Sequence, residues 1–183
     1  TSEILKRLYE AEPHRSDLAR DLSVSYEKLG DAYVSLGDNR KALKFYEKSK
    51  EIFERLRNEQ PDQSDIARDL AVLYKRLGDV RISLRDVQGA LELHGKGVDI
   101  FEHLHKTEPH RSDIAWDLSI SYVGLGDIYI SFGDTQKALK LYRNALEIRE
   151  RLYKAEPYRS DIAWGLVCSY QRMGMVTHEG IWL

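Results

Sequence analysis

The four prolines of this chain stand at positions 13, 61, 109 and 157, each 48 residues beyond the last, and the text around them recurs in step. It reads EPHRSDLARDL from Glu12, QPDQSDIARDL from Gln60, EPHRSDIAWDL from Glu108 and EPYRSDIAWGL from Glu156. A fixed period of this size marks a supersecondary unit that cannot bury its apolar face alone and stacks on its neighbours, giving an elongated solenoid with an extended concave face. Such a shape suits binding better than chemistry. The period sets the expected boundaries of a single array: residues 13–60, 61–108 and 109–156 as whole repeats, 1–12 as the end of a preceding repeat, and 157–183 as the first helix of a fourth or a capping helix. The opening ILKRLYEAEP matches IRERLYKAEP at Ile148 to Pro157, so the chain reads as a piece of a longer array.

Each repeat divides into two helices. Leu18, Ala19, Leu22, Tyr26, Leu29 and Tyr33 share one face at helical spacing, which predicts a first helix, A. Ser16 is placed to cap it, and Asp17 puts negative charge in its first turn. Gly37 suits the left-handed residue that ends it, with Asp38 capping the next. Helix B then buries Ala42, Leu43, Tyr46, Ile52 and Leu56, until Gln60-Pro61 disfavours further helix.

Gly30, Gly78, Gly126 and Gly174 recur in the middle of helix A, where each costs about 1 kcal/mol relative to alanine. Recurrence of that cost predicts close approach of helix B, with a hinge as the alternative. The second repeat departs most from the pattern. Arg81 and His94 replace tyrosines, Arg85 takes the turn-glycine position, and Gly89, Gly95 and Gly97 enter helix B. These changes fit either tolerated drift or a flexible joint.

The spacing Tyr26-x2-Leu29-Gly30-x2-Tyr33 followed by Ala42-x3-Tyr46, repeated by Tyr122, Leu125, Gly126, Tyr129, Ala138 and Tyr142 with Ala145 added, resembles the tetratricopeptide-repeat signature. The period of 48 exceeds the family's usual 34, so the helices are longer, as in kinesin light chain and in bacterial arrays with RDLSVSY-x-KLGD text. The resemblance implies an all-α, right-handed superhelical solenoid of antiparallel helix-turn-helix repeats whose A helices line the concave groove.

No chemistry is readable. His14, His94, His103, His105, His110 and His178 form no i, i+4 metal pair, and neither LRDVQG nor HGKG has phosphate-loop spacing. Cys168 occupies a column otherwise held by Val24, Val72 and Ile120 and reads as an apolar filler. The expectation is no enzyme, no metal and no cofactor. A formal charge of −2 gives no reason to expect nucleic acid, and no apolar run is long enough to span a membrane. With one cysteine no internal disulfide can form, so the chain need not come from an oxidising compartment, and the expected location is cytoplasmic.

The remaining face of helix A carries Arg20, Val24, Glu27, Asp31 and Val34 in the first repeat. The second has Arg68, Val72, Lys75, Asp79 and Ile82, and the third Trp116, Ile120, Val123, Asp127 and Ile130. Trp164, Cys168, Gln171, Met175 and His178 follow in the fourth. This face grows apolar toward the C-terminal end, and an apolar stripe with two tryptophans marks an interaction site; alternatively, Trp116 and Trp164 pack between adjacent repeats. Asp31, Asp79 and Asp127 either meet basic groups or backbone amides of a ligand, or are solvated or paired with arginines of the chain itself. The expected function is a non-catalytic scaffold that binds a peptide or helical segment of another protein, centred on Trp116, Ile120, Val123, Ile130 and Trp164, with self-assembly into a homo-oligomer as the alternative.

Overall fold

The computed structural model describes residues 2–179. Its order of elements is α1 (Ser2–Ala11), α2 (Ser16–Ser35), α3 (Asn39–Glu59), α4 (Ser64–Ser83), α5 (Val87–Thr107), α6 (Ser112–Ser131), α7 (Thr135–Ala155) and α8 (Ser160–Glu179). No strand occurs among the described residues. The chain is an all-α helical-repeat fold in which seven long helices follow a ten-residue one, as the 48-residue period requires.

The repeated text around each proline builds the turn from helix B to helix A. Glu12-Pro13-His14-Arg15 closes through Arg15 N–H on the Glu12 carbonyl at 3.1 Å, with proline at the position of a β-turn that its ring favours. Arg15, not Ser16, is the N-cap: its backbone is extended, its carbonyl accepts from Ala19 N–H, and Ser16 is already helical. No side chain caps α2, α4 or α6. Instead the Arg15 guanidinium lies between Glu12 and Asp17, and the same fork recurs as Glu108-Arg111-Asp113 and Glu156-Arg159-Asp161. The RSD text is therefore a turn lock.

At the other end of helix A, Gly37 and Gly133 adopt φ of +76° and +77°, and Asp38 N–H returns to the Tyr33 carbonyl in a Schellman closure. Asp38 and Asp134 then cap α3 and α7 through Lys41 N–H and Lys137 N–H. Arg85 holds the same left-handed turn at φ +64° without being glycine.

The chain divides into two compact units, Thr1–Ile100 and Phe101–Leu183. In the first, α3 packs against both α2 and α4. Being sandwiched widens its buried stripe: Ser49 and Phe53 are fully buried beside Ala42, Tyr46 and Leu56, whereas Leu43 and Ile52 are only half-buried. Burying a side chain such as Phe53 contributes about 1.5–3 kcal/mol. In the second unit α7 packs against α6 and α8 in the same way. Tyr26 and Tyr122 lie in the cores of their respective units.

Gly30, Gly78 and Gly126 each receive a ring of helix B, whereas Gly174 has nothing within 4 Å of its Cβ position and does not follow the expected close approach. A Cβ on Gly30 would stand 2.3 Å from Cε1 of Tyr46, and one on Gly126 would stand 2.6 Å from Cε1 of Tyr142. What comes close is an aromatic ring of helix B rather than its backbone.

Candidate protein-binding face

The A helices of neighbouring repeats meet through long side chains. In the first unit Arg20 donates to Asp69 at 2.8 and 3.1 Å, and Arg76 donates to both oxygens of Asp31 at 2.5 and 2.6 Å. Asp31 also accepts from the Tyr46 hydroxyl at 2.5 Å, so the ring lying on Gly30 is tied to the next repeat through one carboxylate. The second unit repeats this: Asp127 accepts from Tyr142 at 2.6 Å and from Arg172 at 3.1 Å on each oxygen. Burial, reinforced by the bond to a carboxylate, pushes the Tyr46 and Tyr142 hydroxyls well above the usual phenol range. Asp31 and Asp127 are thus engaged within the chain, the second of the two expectations for them.

Asp79 completes the series differently. His94 approaches it at 3.2 Å in place of a tyrosine, and Lys75 donates at 2.7 Å from one turn back. Burial acts to raise its carboxyl, but the contacts from His94 and Lys75 prevail and hold it below the usual carboxylate range. The column that supplies Arg76 and Arg172 has Gly124 in the third repeat.

A second ladder joins each helix B to the following helix A. Tyr74 donates to Glu54 at 2.7 Å, Tyr122 to Glu102 at 2.7 Å and Tyr170 to Glu150 at 2.5 Å. The same register puts Lys6 opposite Tyr26.

The predicted groove residues separate into three groups. Val24, Val72 and Ile120 are half-buried, and Val123 is buried at 8% exposure, which removes it from the accessible face; it fills the core of its unit. Trp116 is half-buried over Gly165, where a Cβ would stand 2.5 Å from its ring, and the Arg149 guanidinium stacks on it at 5.1 Å. Asp31, Val34, Asp79 and Ile82 of the first unit, and Asp127, Ile130, Trp164 and Met175 of the second, are exposed. Glu27 and Lys75 are half-buried. His178 lies outside the residues whose side chains are described.

Five of the face positions come together. Asp127 and Ile130 of α6 and Cys168, Gln171 and Met175 of α8 line one open cavity of about 370 Å³, together with Tyr142 of α7. Arg172, which lines the same cavity, and the buried Arg149 were not among the expected groove residues. The signal was available in the helix B column Phe53, Phe101, Arg149, where a charge replaces a core aromatic. Among the described residues no three His, Cys, Asp or Glu side chains gather as a metal site, and no helix is long and apolar enough to cross a membrane.

Helix pairs repeated at a fixed period, with neighbouring helices joined side chain to side chain inside each unit, define a helical-repeat protein. Two tetratricopeptide-repeat family models match, at residues 21–95 and 121–154, together more than half of the chain. The chain belongs to the tetratricopeptide-repeat family, whose members generally mediate protein–protein interaction and typically serve as non-catalytic scaffolds. Among solved structures, BtubC (BKLC) from P. vanneervenii is similar in fold, with a TM-score of 0.57 and 17% identity, covering 97% of this chain and 87% of that one. MamA gives a looser likeness, with a TM-score of 0.46 and 15% identity over 97% of this chain and 89% of that one. No curated protein matches.

Proposed function

We propose that the chain is a non-catalytic scaffold, a single cytoplasmic array whose A helices receive a peptide or helical segment of another protein. The observation that carries this reading is the open cavity formed by Asp127, Ile130, Cys168, Gln171 and Met175: apolar groups with a polar rim, on the face that the fold does not need for its own core. Ile130 and Met175 are 36% and 66% exposed, so the repeat leaves them uncovered. Selecting peptides from a displayed library against the purified chain tests the reading. The double change Ile130→Ala with Met175→Ala should weaken the selected peptides by about 2 kcal/mol while circular dichroism and melting stay unchanged. Peptides that bind the double variant as they bind the wild type would overturn the assignment.

Self-assembly is a second reading with its own observation. Tyr170 is 52% exposed, whereas Tyr26, Tyr74 and Tyr122 in the same column are at most 8% exposed. Light scattering across a concentration series separates the two: a monomer throughout removes this alternative.

A further inference from the structure

Arg149 is 5% exposed and has no carboxylate partner among the described residues. Its Nε donates to the Ser119 hydroxyl at 3.0 Å, and its Nη1 donates to the Gly165 carbonyl at 2.7 Å and the Ser169 hydroxyl at 2.8 Å. Trp116 covers one face of the guanidinium. Nη2 makes no hydrogen bond among the described residues. A buried cation held only by neutral groups is costly.

The fold does not require this charge. Phenylalanine occupies the same column at Phe53 and Phe101, both fully buried. The chain has also lost the nearest carboxylate: the column Asp21, Asp69, Asp117 ends in Gly165, the residue whose carbonyl Arg149 contacts. A positive charge has been added and a negative one removed at the same place. Burial disfavours the Arg149 charge, and Arg172, itself balanced by Asp127, acts in the same direction. Ser169, which accepts from Arg149, directly follows Cys168, which lines the open cavity described above.

We infer that Arg149 receives the carboxylate of an acidic side chain in the partner segment, flanked in that segment by apolar residues that fill the cavity beside Ile130 and Met175. The incoming Asp or Glu takes the place of the repeat's missing aspartate, and Nη2 is the donor that meets it. A desolvated guanidinium already fixed by three hydrogen bonds and a stacked indole forms a charge-assisted bond without further ordering of its side chain. The inference rests on the scaffold reading and names the chemistry of what the scaffold takes.

The probe is N-acetyl-glutamate α-amide, with N-acetyl-glutamine α-amide as its neutral isostere. Arginine Nε–H resonances of the 15N-labelled chain are followed by NMR, that of Arg149 being assigned by its loss in Arg149→Phe. The acid should shift the Arg149 signal saturably and bind about tenfold tighter than the amide, the size of one charge-assisted hydrogen bond. Equal affinities, or no shift at Arg149, would overturn the inference. If Arg149→Phe does not fold, through-bond assignment in the wild type leaves the comparison of acid and amide decisive. Selected peptides that bind without any acidic residue sink this inference but leave the scaffold standing. A chain that takes the glutamate derivative but no peptide sinks the scaffold reading instead.

Discussion

Glu27 is a half-buried carboxylate whose Oε2 lies 3.8 Å from Arg76, too far for a hydrogen bond. Burial raises its pKa from 4.5 to about 7, against the pull of Arg76 and with help from Asp69 and Asp31. A carboxyl raised above its unfolded value favours the native state in its protonated form. That contribution is complete below about pH 4.5 and is lost as pH climbs through about 7. Glu27→Gln should therefore be more stable than wild type by about 1–3 kcal/mol at pH 8, with the difference closing toward pH 4.5, in urea melts across that range. A constant difference at every pH would refute the account. Arg85 offers a second measurement at this scale. Its left-handed backbone costs a non-glycine residue about 1 kcal/mol, so Arg85→Gly should raise the unfolding free energy by that amount.

At the scale of the element, Gly126 of helix A and Gly95 of helix B have opposite meanings. Gly126→Ala would drive a methyl into the ring of Tyr142, which cannot swing away without breaking its bond to Asp127. It should cost about 1–3 kcal/mol. Gly95 has nothing within 4 Å of where its Cβ would be, so Gly95→Ala should stabilise α5 by about 1 kcal/mol. Paired thermal melts that move the same way would contradict the distinction. Gly97 stands between them, with its Cβ position 3.1 Å from the Ala71 carbonyl, so one of the second repeat's departures serves close packing. Helix lengths, the Gly37 ending and the Asp38 cap were all legible, because each depends on a local backbone preference that a single residue type announces. The start of helix A was misplaced by one residue because serine is the commoner cap, while here the arginine before it is locked by acidic residues on either side. The widened stripe of α3 was not legible, because one helix's periodicity does not say how many neighbours it serves.

At the scale of the whole molecule, the period of 48 settled the fold class, while the face was only half readable. A helix wheel ranks positions by chemistry, and so it selected Trp116 and Val123 as groove residues. The structure gives Trp116 to Gly165 and Arg149 and puts Val123 in the core. What decides such cases is a partner 49 residues away, and comparing columns two at a time would have exposed it: Arg20 faces Asp69, and Trp116 faces Gly165. The coupling is testable. Trp116→Arg and Gly165→Asp should each destabilise the chain, whereas the double change, which rebuilds the first repeat's pair, should recover about 1 kcal/mol or more relative to the sum of the two. Additive losses would show that the two positions do not read each other.

That pairing bears on how such a chain can change over generations. Arrays of near-identical units are prone to unequal recombination, which deletes or duplicates whole units and should scramble their order. A unit ending in the Arg20 type of contact fits a successor bearing aspartate, and a unit of the Trp116 type fits one bearing glycine, so a misplaced copy would set an indole against a carboxylate. The seam residues would therefore act as a grammar, restricting which unit can follow which even where the repeats are otherwise similar enough to be exchanged.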